Sequence, residues 1–367
     1  VRFDRRLFIN FDWTFFLLIL IILSIGLVNL YSAGFAISQD TSLCLKQGRW
    51  IILGFICMIF AFSVDYRSIV RHAYLIYGVT ILLLIVVLLY GYVIQGSQRW
   101  IVFMGFSFQP SELMKLSVII ILAKYFDENK LNRPLVLKDM LYPGLMAIVP
   151  FLLILRQPDL GTALIVLIIF MSIVLFVGVN WKTLSITSIT GVLLLPLAWF
   201  ALKDYQKGRI ITFLAPENDP LGAGYHIIQS MIAIGSGEWW GKGFLKGTQT
   251  HLRFLPEQQT DFVFSVFAEE WGFIGVLVLM ILFFSLIAWG LKISLQAKDY
   301  LGTLVAFGIT MFVAWSVLIN VGMVLGLLPV VGVPLPFMSY GGSSVVVLLT
   351  AMGLMLNISM RRFLLHS

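Results

Sequence analysis

The sequence predicts an all-α polytopic membrane protein, and three observations carry that reading. Hydrophobic residues make up 60% of the 367-residue chain and charged residues only 12%, where a soluble chain carries about 25% charged; the mean hydropathy is +0.98. Apolar runs of about 20 residues recur from end to end, each long enough to cross a roughly 30 Å hydrocarbon core as a helix. The alternating strand pattern of a membrane β-barrel is missing.

Ten spans are expected, at about 13–33, 47–63, 72–92, 110–126, 141–156, 161–179, 184–202, 262–290, 301–325 and 343–360. They form one integral membrane domain over 1–367, with a single large polar loop, 203–261, between spans seven and eight. The start of the chain, with Arg2, Arg5 and Arg6, has the look of a signal sequence. The apolar run that follows is too long for an h-region and lacks a small-residue cleavage site, so an uncleaved first span is expected.

Basic residues in short loops set the orientation. One side holds Arg2, Arg5, Arg6, Arg67, Arg71, Lys130, Arg133, Lys138, Lys182, Lys292, Lys298, Arg361 and Arg362, while the other side's short connections hold Lys46, Arg49, Arg99 and Arg156. The first side is therefore expected to be cytoplasmic, with both termini inside and the 203–261 loop outside. The net charge of +7 is accounted for by orientation in the membrane, not by nucleic acid. Cys44 and Cys57 lie too far apart along the chain to pair if Cys57 is inside the second span.

The cytoplasmic loops Asp127–Arg133 and Lys292–Asp299 read as solvated turns. The outer connections differ, holding Gln98-Arg99-Trp100, Gln109-Pro-Ser-Glu112, Arg156-Gln-Pro-Asp-Leu-Gly161 and Pro334-Leu-Pro-Phe-Met-Ser-Tyr-Gly-Gly-Ser343. Irregular backbone at membrane depth needs protein or water around it. Several such segments on one face predict a shared polar cavity.

Pro110 suits the first position of a helix, which places Glu112 in its first turn and Lys115 one turn deeper on the same face. Two readings stand: a dipole-compensating glutamate with a snorkelling lysine, or cavity residues where a phosphate would be favoured. Arg49, Arg99 and Arg156 stand at the outer ends of three spans. Each alone is an interfacial anchor; together they could converge on a polyanion such as pyrophosphate. Asp159 is expected to cap the next helix, with a possible role in holding Arg156.

Within the long loop, Tyr225–Ile234 reads as a short amphipathic helix and Gly235–Gly243 as a glycine-rich turn that could form an anion nest. The loop's charges balance. Six are basic (Lys203, Lys207, Arg209, Lys242, Lys246, Arg253) and six acidic (Asp204, Glu217, Asp219, Glu238, Glu257, Asp261). Asp261 closes the loop where the chain re-enters the membrane. It is either a helix cap, with Thr260 as competitor, or a carboxylate whose boundary position raises its pKa enough for a base.

These motifs together resemble the shape, elongation, division and sporulation (SEDS) family of peptidoglycan glycosyltransferases. The resemblance spans essentially the whole chain. It rests on Gln109-Pro-Ser-Glu112 with Lys115, Arg156–Gly161, Phe254-Leu-Pro-Glu-Gln-Gln-Thr-Asp-Phe262, Ala268-Glu-Glu-Trp-Gly272 and Pro334–Ser343. Gly241-Lys-Gly-Phe-Leu-Lys-Gly-Thr-Gln249 favours the elongation branch over the division branch. Gln259 departs from the pattern, which usually has His there.

The resemblance implies polymerisation of lipid II for cell elongation and rod shape, by inverting transfer with undecaprenyl pyrophosphate as leaving group. It implies Asp261 as the catalytic carboxylate, assigned here as the base, and Glu112 and Lys115 as functionally sensitive cavity residues; with Arg49, Arg99, Arg156 and Ser343 these are the candidate substrate-binding residues. A class B penicillin-binding protein transpeptidase and other elongation-complex membrane proteins are the implied partners, in the bacterial cytoplasmic (inner) membrane with the active site on the extracytoplasmic face. Mg2+ or Mn2+ is compatible with a pyrophosphate reaction, although no protein metal site is readable. Two rivals are a lipid II flippase, which needs polar residues through the cytoplasmic half, and a scaffold for the transpeptidase.

Overall fold

The computed structural model describes residues 10–38, 42–94, 97–103, 106–201, 204–218, 222–252, 254 and 257–362. Arg2, Arg5, Arg6, Lys203, Asp219 and Arg253 lie outside the described residues. Long helices stand at each predicted span: α1 (Trp13–Ser38), α2 (Ser42–Ser63), α4 (Ala73–Tyr90), α5 (Pro110–Glu128), α6 (Leu141–Arg156), α7 (Leu160–Val177), α8 (Trp181–Ala201), α12 (Val263–Leu295), α13 (Tyr300–Val324) and α14 (Gly342–Arg361). Shorter helices are α3 (Tyr66–Arg71), α9 (Asp204–Leu214), α10 (Ala223–Ser236) and α11 (Thr248–His251). Among the described residues, eight helices are long and apolar enough to cross a membrane. The helices α5 and α8 are not among them, and five charged residues set α5 apart.

The centre of the bundle is α14, 83% buried over its apolar window, followed by α13 at 67%. Around them pack α2, α5, α7 and α12. Contact with α2 is close because Gly353 has no side chain: an added Cβ there would stand 2.5 Å from the Met58 carbonyl oxygen. Small residues permit such backbone approach where lipid supplies no hydrophobic drive between helices.

A three-stranded antiparallel sheet departs from the all-α expectation. It joins β1 (Tyr92–Ile94), β2 (Ser97–Phe103) and β3 (Phe106–Phe108), with Ile101 opposite Phe108 and Val102 opposite Ser107. The helix period hides it, but its alternating β-branched and aromatic residues suit a pleated surface.

One end of the bundle gathers this sheet, the N-termini of α5, α7, α12 and α14, and the 204–261 loop. The opposite end holds both ends of the described chain: Asp12 accepts from Trp289 Nε1 at 2.9 Å and from Ser359 Oγ at 3.0 Å. That same end is more ordered than solvated turns would be. Asp299 accepts from the Tyr66 hydroxyl at 2.7 Å and from Arg67 Nε at 2.8 Å. Arg361 pairs with Asp65 at 3.0 Å, and buried Asn357 donates to the Ala61 and Phe62 carbonyls. Asn357 thereby satisfies carbonyls that the last turn of α2 leaves open.

Candidate functional site

A turn, not a helix cap, presents Asp261. Residues 257–262 form consecutive turns ahead of α12, whose N-cap is Phe262 with no side-chain cap bond. Thr260 does not cap either; its Oγ1 donates to Glu257 O at 3.3 Å and Glu257 Oε2 at 3.1 Å. Three consecutive carbonyls of this turn are each held from the C-terminal part of the chain. Gln259 O accepts from the Tyr340 N–H at 2.8 Å, Thr260 O from Ser339 Oγ at 2.6 Å, and Asp261 O from Asn320 Nδ2 at 3.0 Å.

The carboxylate of Asp261 is partly exposed and sits beside Gly332, where an added Cβ would be 3.5 Å from Oδ2. Burial pushes this carboxyl up to about 6, and the charge of Glu257 adds to the effect. Arg209 and Arg99 pull the other way, and Asp159 adds a further upward push. Desolvation disfavours the charged form, and the two guanidiniums keep the group from rising further.

Arg99 comes from β2, and Asp159 holds it. Asp159 caps α7 through the Thr162 N–H at 3.2 Å, accepts from Gln109 Nε2 at 2.8 Å, and faces Arg99 Nη1 at 3.7 Å. The expected partner was Arg156, but Arg156 is exposed and makes no ion pair among the described residues. Arg49 is likewise exposed, and of the three arginines only Arg99 acts on the charge of the Asp261 carboxylate. Arg156 is the last residue of α6 and Arg49 lies two turns inside α2, and both long side chains reach solvent. Buried Arg99 Nε has no hydrogen-bond partner among the described residues.

Arg209, on α9, is the site residue that sequence reasoning missed. It counts as one of twelve balanced loop charges, and only the fold of the loop back onto Asp261 distinguishes it.

Glu112 and Lys115 form a closed pair. Pro110 occupies the first turn of α5 as predicted, and Lys115 Nζ donates to Glu112 Oε1 at 2.8 Å with both residues buried. Lys115 also lies 4.8 Å from the centre of the Phe312 ring. Glu112 Oε2 is buried with no partner among the described residues. Ser343 bridges backbone: its Oγ accepts from the Gln109 N–H at 2.9 Å and donates to Ser107 O at 3.3 Å. It ties the sheet and the start of α5 to α14.

The glycine-rich turn 235–243 is spent on a break in α12. Gly272 has φ 63° and ψ −166°, a conformation open essentially to glycine alone. The backbone groups freed there are re-paired. Lys242 N and Gly243 N donate to the carbonyls of Glu269 and Glu270, and Phe273 N and Ile274 N donate to the carbonyls of Glu238 and Trp239. These bonds occupy the amides that an anion nest would use. Fully buried Glu269 then accepts from Lys242 Nζ, Gln249 N and Thr250 Oγ1 at 2.8–2.9 Å, which anchors the loop segment leading to α11. Among the described residues, no three of His, Cys, Asp and Glu gather as a metal site.

Fold and site together define a multi-span membrane protein with one elaborated end, where a carboxylate held in a turn feels the charge of two arginines. The model of the FtsW/RodA/SpoVE family, described as cell cycle protein, matches residues 12–363, and the chain belongs to that family. The peptidoglycan glycosyltransferase MrdB of Escherichia coli strain K12 is 38% identical over 358 residues, covering 97% of this chain and 95% of that protein. Stage V sporulation protein E of Bacillus subtilis is 36% identical, covering 95% and 96%. A chain from a peptidoglycan synthase complex, described as coordinating polymerization and crosslinking, superposes with a TM-score of 0.83 at 36% identity, covering 96% and 98%. The rod shape determining protein RodA of Thermus thermophilus gives a TM-score of 0.72 at 30% identity, covering 96% and 98%.

Proposed function

We propose that the protein is a peptidoglycan glycosyltransferase that polymerises lipid II, with Asp261 as general base. The observation that carries this reading is the setting of Asp261. Its backbone is fixed, its side chain is not used as a cap, and its carboxyl, raised to about 6, faces Arg99 and Arg209. A base works best with a pKa near the working pH, and a positioned one contributes about 10²–10⁴ in rate.

The acceptor hydroxyl passes its proton to the Asp261 carboxylate as its oxygen bonds the anomeric carbon of the donor. The bond from that carbon to the pyrophosphate oxygen breaks on the opposite face, and the electron pair leaves with undecaprenyl pyrophosphate. The configuration inverts. Pyrophosphate is already a good leaving group, so no general acid is needed, in contrast to the carboxylate pairs of glycoside hydrolysis. Arg99 and Arg209 supply cations for the departing charge. Among the described residues no three of His, Cys, Asp and Glu gather as a metal site; a Mg2+ or Mn2+ would be held chiefly by the substrate's own pyrophosphate and would add positive charge for the departing group. Glu112 orients Lys115 in a buried pair on α5.

The membrane-crossing helices suit a substrate with a polyprenyl tail that enters from the bilayer. The excess of basic residues in the short loops of the opposite end supports an extracytoplasmic position for the Asp261 end. The motif Gly241–Gln249 favours the elongation branch, and the likeness to a chain from a synthase complex supports a class B penicillin-binding protein as partner. The far end of the bundle is tied by Arg361–Asp65 and Arg67–Asp299, which favours a fixed floor over a flippase.

The test is polymerisation of labelled lipid II by purified protein, with and without the transpeptidase. Wild type makes glycan and folded Asp261→Ala makes essentially none. Near wild-type glycan from Asp261→Ala would overturn the assignment, and translocation without any polymerisation would favour the flippase.

A further inference from the structure

We propose that Asn320 and Ser339 are positioning residues for glycosyl transfer, which hold the Gln259–Asp261 backbone so that the carboxylate of Asp261 meets the acceptor hydroxyl. This rests on Asp261 as the base. Asn320 is fully buried in α13, four residues before the end of a helix that otherwise presents apolar side chains there. Its Nδ2 donates twice, to Asp261 O at 3.0 Å and to Val333 O at 2.7 Å. A single amide thus clamps the turn bearing the carboxylate to the segment bearing Gly332, which lies against that carboxylate.

Ser339 repeats the arrangement one residue earlier. Its Oγ donates to Thr260 O at 2.6 Å and accepts from the Leu335 N–H at 2.8 Å. The Ser339 carbonyl in turn takes Gln47 Nε2 at 3.5 Å, and Gln47 Oε1 accepts from the Gly341 N–H at 3.3 Å. The turn is thereby referenced to α2, α13 and α14 at once. Each such bond fixes the position of a backbone group that no helix or strand pairs.

None of these donors reaches the carboxylate itself. The charged groups facing it are Glu257 on its own turn, Arg209 on α9, Arg99 on β2 and Asp159 at the cap of α7. The 333–341 segment carries no charged residue. Release of the clamp therefore adds and removes no charged group, and it lets the carboxyl move toward water. Its pKa should then fall from about 6 toward the ordinary aspartate value of about 3.9. A displacement of the order of 1 Å costs about 100-fold in rate.

The experiment measures kcat, KM and the pH–rate profile of lipid II polymerisation, with the thermal midpoint of each variant. Asn320→Leu keeps the bulk and removes both donors. The expected result is a kcat about 10- to 100-fold lower with KM within about threefold, and an acid limb displaced to lower pH. Ser339→Ala should lose activity in the same way, and Ser339→Thr, which keeps the hydroxyl, should recover most of it. If Asn320→Leu does not fold, the Ser339 pair decides alone. A folded variant with unchanged kcat, or with reduced rate and an unmoved acid limb, overturns the proposal. Failure of the parent reading looks different: Asp261→Asn would polymerise and wild type would lack the acid limb.

Discussion

Lys115→Met leaves the Glu112 carboxylate, 3% exposed, without its cation. In the wild type the pair is held at 2.8 Å, Lys115 itself is 2% exposed, and Glu112 Oε2 already lacks a partner among the described residues. Removing one member of a buried pair costs about 3–5 kcal/mol, because the other charge stays desolvated and uncompensated. Loss of the Lys115 contact with the Phe312 ring adds roughly 0.5–2 kcal/mol. The double variant Glu112→Gln/Lys115→Met removes both charges, and well-packed neutral replacements are often neutral in stability. It should lie within about 1.5 kcal/mol of wild type. The four proteins form a double-mutant cycle: each single variant strands one buried charge at about 3–5 kcal/mol while the double loses no more than about 1.5, so the expected coupling is at least about 4 kcal/mol. Reversible chemical unfolding in detergent reads the stability, and lipid II polymerisation is followed in parallel. Stability should return in the double variant while activity does not. If Lys115→Met matches wild type in stability, the pair is solvated and the reasoning is refuted.

Two further substitutions probe the site and its scaffold. Arg99→Gln removes a cation that holds the Asp261 carboxyl down, so the acid limb of the pH–rate profile should move to higher pH, opposite to Asn320→Leu, with kcat falling about 10-fold or more. Gly272→Ala places a Cβ 2.2 Å from the Gly241 nitrogen at a φ of +63°. It should cost at least about 1–3 kcal/mol and speed proteolysis of the 237–251 segment, measured against unchanged cleavage elsewhere.

The spans were legible because length and hydropathy in a membrane leave few alternatives, and Pro110 with Glu112 and Lys115 fixed the start of α5 closely. The sheet was not, since short strands in a chain dominated by helices carry little periodic signal. Local rules found the Asp159 cap, but its hold on Arg99 depends on where β2 folds back. Arg209 was invisible for the same reason: nothing in its neighbours separates a loop charge from a site charge. Asp261 stood out by its position at the end of the polar loop, whereas Asn320 is one polar residue inside an apolar helix, and its two acceptors lie 59 and 13 residues away in sequence. Glu269 and Glu270, taken only as motif residues, anchor the loop through contacts that form after the break at Gly272.

The most direct measurement is the pH dependence of lipid II polymerisation by wild type and Asp261→Asn. Wild type should lose rate as pH falls through about 6, where the carboxylate takes up a proton, and hold a plateau above it. Folded Asp261→Asn should be at least about 100-fold slower and show no such limb. A variant that keeps the wild-type rate and the same profile would contradict Asp261 as the base.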